Sequence, residues 1–179
     1  MLPTTQFAYR KGMGTCDALL YMSHTLQGAL ESGQEAWIVQ IDFSTAFDRV
    51  NHLCILYKLC SVYIGGSVLS ILTQFQSNRS QKVMVVGCRS KLVNVVSVEL
   101  QGSVLGLLLF LLYTSEPFSI LENELIGYAD DSTLMAVVPS PGIRVAVAES
   151  LIHDLGRVSE WCDLCGIKLN ASKTKTVIV

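Results

Sequence analysis

Tyr128-Ala129-Asp130-Asp131 places two adjacent acids between two apolar segments. Residues 125–128 precede the acids and residues 132–138 follow them, and both segments have the composition of β-strands. The pattern predicts a β-hairpin with Asp130 and Asp131 at or beside its turn. Two carboxylates about 4 Å apart repel by about 4 kcal/mol at an effective dielectric constant of about 20. A cation or a proton must then compensate them, whereas an ordinary polar turn is the alternative.

A second acid ends another predicted strand. Residues 37–43 form a mostly apolar, β-branched run that is typical of a buried strand, with Asp42 near its end. If this strand pairs beside the hairpin, Asp42, Asp130 and Asp131 lie at one edge of the sheet. Carboxylates suit Mg²⁺ or Mn²⁺, and two such ions can hold both oxygens of an in-line phosphoryl displacement. The sequence therefore predicts a metal site that depends on this strand pairing.

The composition predicts a folded domain. The chain has 179 residues, half of them hydrophobic, and a mean hydropathy of +0.44, so it can bury a core as one domain or as a piece of a larger one. Its most apolar stretch, residues 104–113, is shorter than the roughly 20 residues of a membrane span, and no secretory signal opens the chain. We expect an intracellular protein without membrane contact. Its six cysteines then indicate reduced thiols, and Cys162 with Cys165 favours two core-facing cysteines over half a zinc site.

Charge is unevenly distributed along the chain. Residues 49–98 contain six basic residues and no acid, whereas residues 99–163 contain ten acids and two basic residues, Arg144 and Arg157. A basic segment between two acid-bearing strands suits a phosphate-backbone track, and a solvated face explains it equally well.

Periodicity predicts the remaining elements. Thr15 is a candidate N-cap for a helix that reaches Gly33, and a long amphipathic helix over residues 145–165 is expected to end at Gly166. Residues 78–80 are predicted to form a turn, and residues 81–86 and 92–98 to form strands. An all-apolar run predicts a fully buried helix over residues 104–112. Two helices have predicted apolar stripes, namely Ala18, Leu19, Met22 and Leu26, and Leu53, Leu56, Tyr57 and Cys60.

Four blocks occur in a fixed order, at residues 42–48, 101–106, 128–131 and 166–174. This order closely resembles the reverse transcriptase domain of non-LTR (LINE-type) retrotransposons, and the likeness covers nearly the whole chain from residue 6 onward. The resemblance implies an α+β fold, namely a right-hand polymerase palm with an antiparallel sheet and helices packed on one face. Residues 1–179 are then expected to hold the palm and part of the fingers, without the thumb, the upstream fingers or the endonuclease.

The resemblance also implies roles for individual residues. Asp42 and Asp130 would hold two Mg²⁺ ions, or Mn²⁺, with Asp131 at the same site, and Lys173 is a candidate proton donor to pyrophosphate. Phe47, five residues after Asp42, matches an aromatic steric gate that excludes a ribose 2′-hydroxyl. The residues matched to nucleotide and template binding are Arg10, Lys11, Phe43, Phe47, Gln101 and Gly102.

The chain departs from the family pattern around the second block. Val98, Leu100 and Leu107 stand where the family usually has glycine or proline, and leucine restores a backbone N–H that proline lacks. Glu99 adds a negative charge beside the expected template track. Ala8 and Met13 also depart from the usual fingers block, which has Gly and Arg at these positions. The pattern is therefore retained at the metal acids and eroded around the nucleotide pocket.

These observations predict an RNA-directed DNA polymerase domain that adds dNTPs to a primer 3′-hydroxyl on an RNA template. We expect weak or no activity from this chain alone, because a polymerase needs a thumb to hold its duplex. The alternative is a non-catalytic retrotransposon remnant, either an RNA-binding module or an inert folded palm. A different Mg²⁺-dependent phosphotransferase ranks last, because the chain lacks a GxxxxGK[ST] phosphate loop. Analogy with the family suggests a nuclear or cytoplasmic ribonucleoprotein.

Overall fold

Helices and strands alternate along the chain. The structure, a computed structural model, describes residues 2–44, 46–77, 79–95 and 103–179. Its α-helices are α1 (Thr15–Glu31), α2 (His52–Ser61), α3 (Gly66–Gln76), α4 (Val104–Tyr113), α5 (Pro117–Ile120) and α6 (Arg144–Cys165). Its strands are β1 (Glu35–Ile41), β2 (Phe43–Ser44), β3 (Arg79–Gln81), β4 (Met84–Val85), β5 (Cys88–Arg89), β6 (Val93–Val95), β7 (Glu124–Tyr128), β8 (Asp131–Val138), β9 (Lys168–Leu169) and β10 (Lys175–Ile178). Short 3₁₀ turns cover Phe47–Arg49 and Pro141–Ile143.

The chain divides into two compact units, and the first contains the main sheet. This unit comprises residues 1–46 and 114–179, and the second comprises residues 47–113. The sheet of the first unit has the order β10-β1-β8-β7, and every pair of neighbouring strands is antiparallel. Tyr128 pairs with Asp131, so Ala129 and Asp130 form a two-residue turn. The predicted hairpin is confirmed, as is the predicted strand before Asp42.

Helices cover both faces of this sheet. Side chains alternate between the faces of a strand, so Ile126 and Met135 share the face on which Ala18 of α1 packs. On the other face, α5 packs on β7 and α6 packs on β8. The antiparallel sheet with packed helices agrees with the predicted palm, and α1 adds a helix on the face opposite to α5 and α6.

The start of α1 differs from the prediction by one residue. Gly14, not Thr15, is the N-cap, and its N–H donates to Asp17 Oδ2 at 2.7 Å. Ala18 is buried as predicted, whereas Leu19 is exposed. Met22 and Leu26 pack on the core, so the buried stripe is narrower than the sequence pattern indicated.

Helix α6 ends as predicted. Gly166 adopts a left-handed φ of +72°, a conformation that glycine reaches without a Cβ penalty. Cys162 and Cys165 are buried, which confirms that they face the core. Burial raises the pKa of the Cys162 thiol to about 12, with smaller contributions from Cys165 and Asp163. The thiol is therefore protonated at neutral pH.

Helix α6 also carries a fully buried carboxylate that the sequence analysis did not single out. Asp154 accepts hydrogen bonds from Glu122 N at 2.9 Å, from Asn123 N at 2.8 Å and from Asn123 Nδ2 at 2.8 Å. These three donors fix the loop that leads into β7. Asp154 therefore has a structural role, because N–H groups of this loop satisfy its side-chain oxygens.

In the second unit, α2 buries a different face from the one predicted. Leu53 and Tyr57 are 76% and 77% exposed and Cys60 is exposed, whereas Ile55 and Leu59 are buried. Both possible stripes are apolar, and packing of α2 against α3 and α4 selects the second. The predicted stripe is wrong because local periodicity cannot choose between two apolar faces.

The segment between α3 and α4 also differs from the prediction. Arg79 and Ser80 were expected in a turn, but they lie in β3 and pair with β6. The turn lies instead at Val86 and Gly87, which both have positive φ and join β4 to β5. Asn78 and residues 96–98 of these predictions lie outside the described residues.

Helix α4 is only partly buried, although the sequence predicted burial on all sides. Leu109, Phe110 and Leu111 are buried, whereas Val104 is 88% exposed and Leu108 is also exposed. Apolar residues occur on all sides of this helix, so the sequence pattern could not predict which face is buried. Within the described ranges, no helix combines the length and the hydropathy that crossing a membrane requires.

We predict that Asp154→Ala lowers the free energy of unfolding by about 3 kcal/mol, because it leaves buried N–H groups of Glu122 and Asn123 without an acceptor. Urea unfolding followed by circular dichroism measures the change. Glu160→Ala, at an exposed position of the same helix, is the matched control and should stay within about 0.5 kcal/mol of the wild type. Equal effects of the two substitutions would contradict the structural role of Asp154.

Candidate functional site

Two acids meet at the end of the β1–β8 strand pair. Ile41 of β1 pairs with Ser132 of β8, so Asp42 and Asp131 are neighbours just beyond that pair. The strand pairing on which the predicted metal site depends is therefore present. Asp42, Asp131 and Lys173 line the same open pocket of about 200 Å³. The remaining lining residues are Gln40, Ile41 and Lys175.

Asp130 lies in the hairpin turn next to this pocket. It is exposed, and it borders a separate cavity of about 10 Å³ beside Ser132 and Phe43. The residue before it, Ala129, has a φ of +59°, which is a strained conformation for a residue with a Cβ. The turn therefore holds Asp130 in a backbone geometry that the surrounding contacts must maintain.

The acids influence one another electrostatically. Partial burial raises the pKa of Asp131, and the negative charges of Asp130 and Asp42 raise it further. Burial also raises the pKa of the Tyr9 hydroxyl, and Asp130 is the next largest cause. The neighbouring carboxylates thus make this sheet edge locally negative although Lys173 and Lys175 line the same pocket, and a negative potential favours a bound cation.

The carboxylates of this pocket suit a divalent ion whose remaining ligands come from substrate and water. Among residues 2–44, 46–77, 79–95 and 103–179, no three Asp, Glu, His or Cys side chains form a preassembled metal-binding group. Mg²⁺ is commonly held by one or two carboxylates, with substrate phosphates and water supplying the other ligands. Asp42 and Asp131, on one open pocket, supply that number of carboxylates.

Lys173 reaches the pocket through a short strand pair. Phe43 of β2 pairs with Leu169 of β9, and Asn170 N donates to the carbonyl oxygen of Asp42 at 2.8 Å. Lys173 N then donates to Asn170 O at 3.1 Å, which closes a turn after β9. Backbone pairing, not side-chain contact, therefore sets the position of Lys173 beside Asp42.

The two cations of the predicted fingers block have different environments. Arg10 Nη1 donates to Pro3 O at 2.7 Å and to Gln6 O at 3.1 Å, so this guanidinium braces its own loop. Lys11 is exposed. Contact with template or triphosphate stays a prediction for both residues.

The predicted nucleotide-binding aromatics make packing contacts. Phe43 is half-buried, and its ring meets that of Trp161 edge-on with 6.2 Å between centroids. Phe47 belongs to the second unit and stacks on Phe110 with 3.9 Å between centroids. Their roles toward a nucleotide, including the steric gate, stay predictions. Gln101 and Gly102, like Val98 and Leu100, lie outside the described residues.

Gln6 is a buried polar residue whose importance the sequence analysis missed. Its side-chain Oε1 accepts from Ala129 N at 3.2 Å, across most of the length of the chain. Its neighbours Phe7 and Ala8 are also buried. No local pattern around Gln6 indicated contact with the hairpin turn.

The antiparallel sheet, with acids at one strand end and on the adjoining hairpin, agrees with the predicted right-hand polymerase palm. The family model of reverse transcriptase (RNA-dependent DNA polymerase) matches residues 1–178. The chain therefore belongs to the reverse transcriptase family.

Proteins of non-LTR mobile elements are similar to this chain in sequence. The RNA-directed DNA polymerase from mobile element jockey of Drosophila funebris is 29% identical over 98% of the chain. The probable RNA-directed DNA polymerase from transposon BS of Drosophila melanogaster is 27% identical over 97% of the chain. In both cases the match covers 20% of the relative, so the chain spans about a fifth of the length of these curated relatives.

Solved telomerase structures share the fold. Telomerase from Candida tropicalis in complex with a fragment of telomeric RNA superposes with a TM-score of 0.70 at 12% identity, over 92% of this chain and 29% of that one. Telomerase from Candida albicans, also with a telomeric RNA fragment, gives a TM-score of 0.62 at 15% identity, over 97% of this chain and 31% of that one. These likenesses establish the polymerase fold of the chain.

We predict that Asp131→Asn stabilises the protein at neutral pH and has no such effect at acid pH. A raised carboxyl pKa means that the folded state binds the proton more tightly, so stability falls as the pH rises above the ordinary aspartate pKa of about 3.9. Urea unfolding of both proteins at about pH 3 and at about pH 7 measures this difference. Glu149→Gln, at an exposed position of α6, is the control and should show no gain. A gain of equal size at both pH values would contradict the electrostatic cause.

Proposed function

We propose that this chain is the catalytic palm of an RNA-directed DNA polymerase and that Asp42, Asp130 and Asp131 hold its two Mg²⁺ ions. The observation that carries the proposal is the pairing of β1 with β8, which brings Asp42 and Asp131 to one pocket with Lys173. In the reaction, the primer 3′-oxygen bonds to the α-phosphorus of a dNTP and the bond to pyrophosphate breaks. When bound, such ions lower the pKa of the primer 3′-hydroxyl and neutralise charge on the phosphates of the dNTP.

The acids of this chain account for the metal requirement in physical terms. Partial burial raises the pKa of Asp131, and the charges of Asp130 and Asp42 raise it further, so the ionised form of this carboxyl is disfavoured relative to a free aspartate. A divalent cation held by these carboxylates would offset their repulsion. The same oxygen ligands bind Mn²⁺ as well as Mg²⁺.

Lys173 is the proposed general acid of the reaction. Lys173 lines the same pocket as Asp42, and Asn170 N donates a hydrogen bond to the carbonyl oxygen of Asp42 between the two segments. Proton transfer from Lys173 to the departing pyrophosphate would neutralise charge on the leaving group. The proton returns from solvent through the open side of the pocket.

We propose that residues 1–179 contain the palm and part of the fingers of a longer polymerase. Relatives are about five times as long as the matched region, so grip on the duplex and choice of template are expected to need further segments. An RNA template, a DNA primer and dNTPs are the proposed partners. The nucleus or the cytoplasm is the proposed compartment, because RNA and DNA are found there.

A non-catalytic RNA-binding role is the second candidate, and the second unit contains the observation that favours it. Lys82, Arg89 and Lys91 are exposed on and around the β4–β5 hairpin. Exposed Val83 and Met84 lie on the same hairpin. Cations with apolar neighbours suit contact with a phosphate backbone and with unstacked bases. This role requires none of the sheet-edge acids.

We predict that Asp42→Asn and Asp130→Ala each reduce primer extension by more than about 100-fold, since loss of an outer-shell partner of a metal already costs about 10- to 100-fold. The assay is extension of oligo(dT) on poly(rA) with dTTP and either Mg²⁺ or Mn²⁺. Asp163→Asn, at an exposed position of α6, is the matched control and should extend like the wild type. Duplex binding without extension by the wild type would favour the RNA-binding remnant.

We predict that Lys173→Gln lowers kcat by about 100-fold or more and leaves primer–template affinity within about twofold of the wild type, because a general acid acts on the reaction and not on duplex binding. Single-turnover extension and filter binding separate the two quantities. Lys168→Gln, at an exposed position of β9, is the control. A loss of affinity that accounts for the whole effect would assign Lys173 to phosphate binding instead.

A further inference from the structure

The N-terminal segment extends the edge of the main sheet next to the hairpin turn. Gln6 forms a parallel bridge with Gly127 of β7. Phe7 N donates to Gly127 O at 2.9 Å, and Gly127 N donates to Thr5 O at 2.9 Å. Two backbone hydrogen bonds therefore fix Gln6 at the strand end that leads into the turn.

The side chain of Gln6 forms hydrogen bonds with both the backbone N–H and the backbone C=O of Ala129, the turn residue before Asp130. Oε1 accepts from Ala129 N at 3.2 Å, and Nε2 donates to Ala129 O over a longer distance of 3.5 Å. Oε1 also accepts from Ala8 N at 3.1 Å. Gln6 is only 1% exposed, so its side chain makes these contacts away from solvent.

Ala129 needs such support because of its backbone conformation. Its φ of +59° lies in the left-handed region that disfavours residues with a Cβ. Strained residues of this kind persist where surrounding contacts over-determine them. Gln6 supplies contacts to both the N–H and the C=O of Ala129, and Asp130 is the next residue.

The strand leaves room for this side chain. A Cβ added at Gly127 would lie 2.6 Å from Gln6 Nε2 and 2.6 Å from Phe118 Cζ. Any larger residue at this position would displace the amide or the ring. The absence of a side chain at Gly127 is therefore part of the same arrangement.

We propose that Gln6 is a positioning residue that holds the Ala129–Asp130 turn so that Asp130 and Asp131 are presented to the metal site. The link to metal binding rests on the proposed polymerase function. The contact of the Gln6 side chain with the Ala129 backbone, called the clamp below, rests on geometry alone. Gln6 acts through Ala129 and touches no reacting atom. Its loss is expected to free the Ala129 N–H and to weaken divalent-ion binding without removing any carboxylate.

The experiment uses the full 179-residue chain with Gln6→Ala, Gln6→Glu and a matched control. Gln76→Ala removes a buried glutamine of α3 in the second unit and should change neither readout. The first readout is amide hydrogen exchange of Ala129 and Ala8 by NMR, which needs no metal. The second is Mn²⁺ affinity, measured by electron paramagnetic resonance.

In Gln6→Ala we expect faster exchange at Ala129 and a Mn²⁺ Kd raised by about 10- to 100-fold, as for outer-shell partners of metal ligands. Gln6→Glu keeps an oxygen acceptor and should retain the Ala129 protection. Rapid amide exchange throughout the Gln6→Ala chain would mean that this variant has unfolded. The Gln6→Glu variant then supplies the test: if it is folded and Ala129 has lost its protection, the proposed contact between Gln6 and Ala129 is overturned.

Unchanged Ala129 exchange in a folded Gln6→Ala chain would overturn the clamp. Faster exchange with unchanged Mn²⁺ affinity would overturn the positioning role. A wild-type chain that binds no Mn²⁺ would instead overturn the proposed function, and the Ala129 exchange would still decide whether Gln6 holds the turn.

Discussion

Repulsion between carboxylates at one sheet edge is the constraint on which the site depends. The register of β1 on β8 makes Asp42 and Asp131 neighbours, and a shift of one residue would send their side chains to the other face. The apolar residues of both strands fix this register, because Val39, Ile41 and Leu134 are buried. Core packing thus holds together acids that would otherwise separate, and a cation becomes the simplest way to relieve their repulsion.

Two aspartates of the same unit show how environment separates structure from chemistry. Asp154 is fully buried, yet three N–H donors surround its carboxylate. Asp131 is more exposed, yet burial and neighbouring acids raise its pKa. N–H groups of the protein satisfy the oxygens of the first acid, whereas the second acid faces other carboxylates as well as Lys173 and Lys175.

The sequence predicted the features that depend on local pattern. The hairpin at Asp130, the strand before Asp42 and the left-handed Gly166 follow from apolar, β-branched runs and from turn and cap chemistry. The buried face of α2 was wrong, because tertiary packing chose between two apolar stripes. The Gln6–Ala129 contact was missed because it joins residues 123 positions apart, and no local pattern encodes such a pair.

The departures from the family pattern around the second block lie in the second unit, whereas Ala8 and Met13 lie in the first unit with the acids. Leu107 stands where the family has proline, and its N–H donates to Ser103 O at 3.3 Å within α4, a bond that proline cannot form. Ser103 Oγ also accepts from Gly106 N at 2.9 Å, so this helix start is well capped. These changes belong to the second unit, whereas Asp42, Asp130 and Asp131 belong to the first. The replacement of proline at Leu107 is therefore accommodated within α4, and the pairing of β1 with β8 that brings Asp42 beside Asp131 does not depend on it.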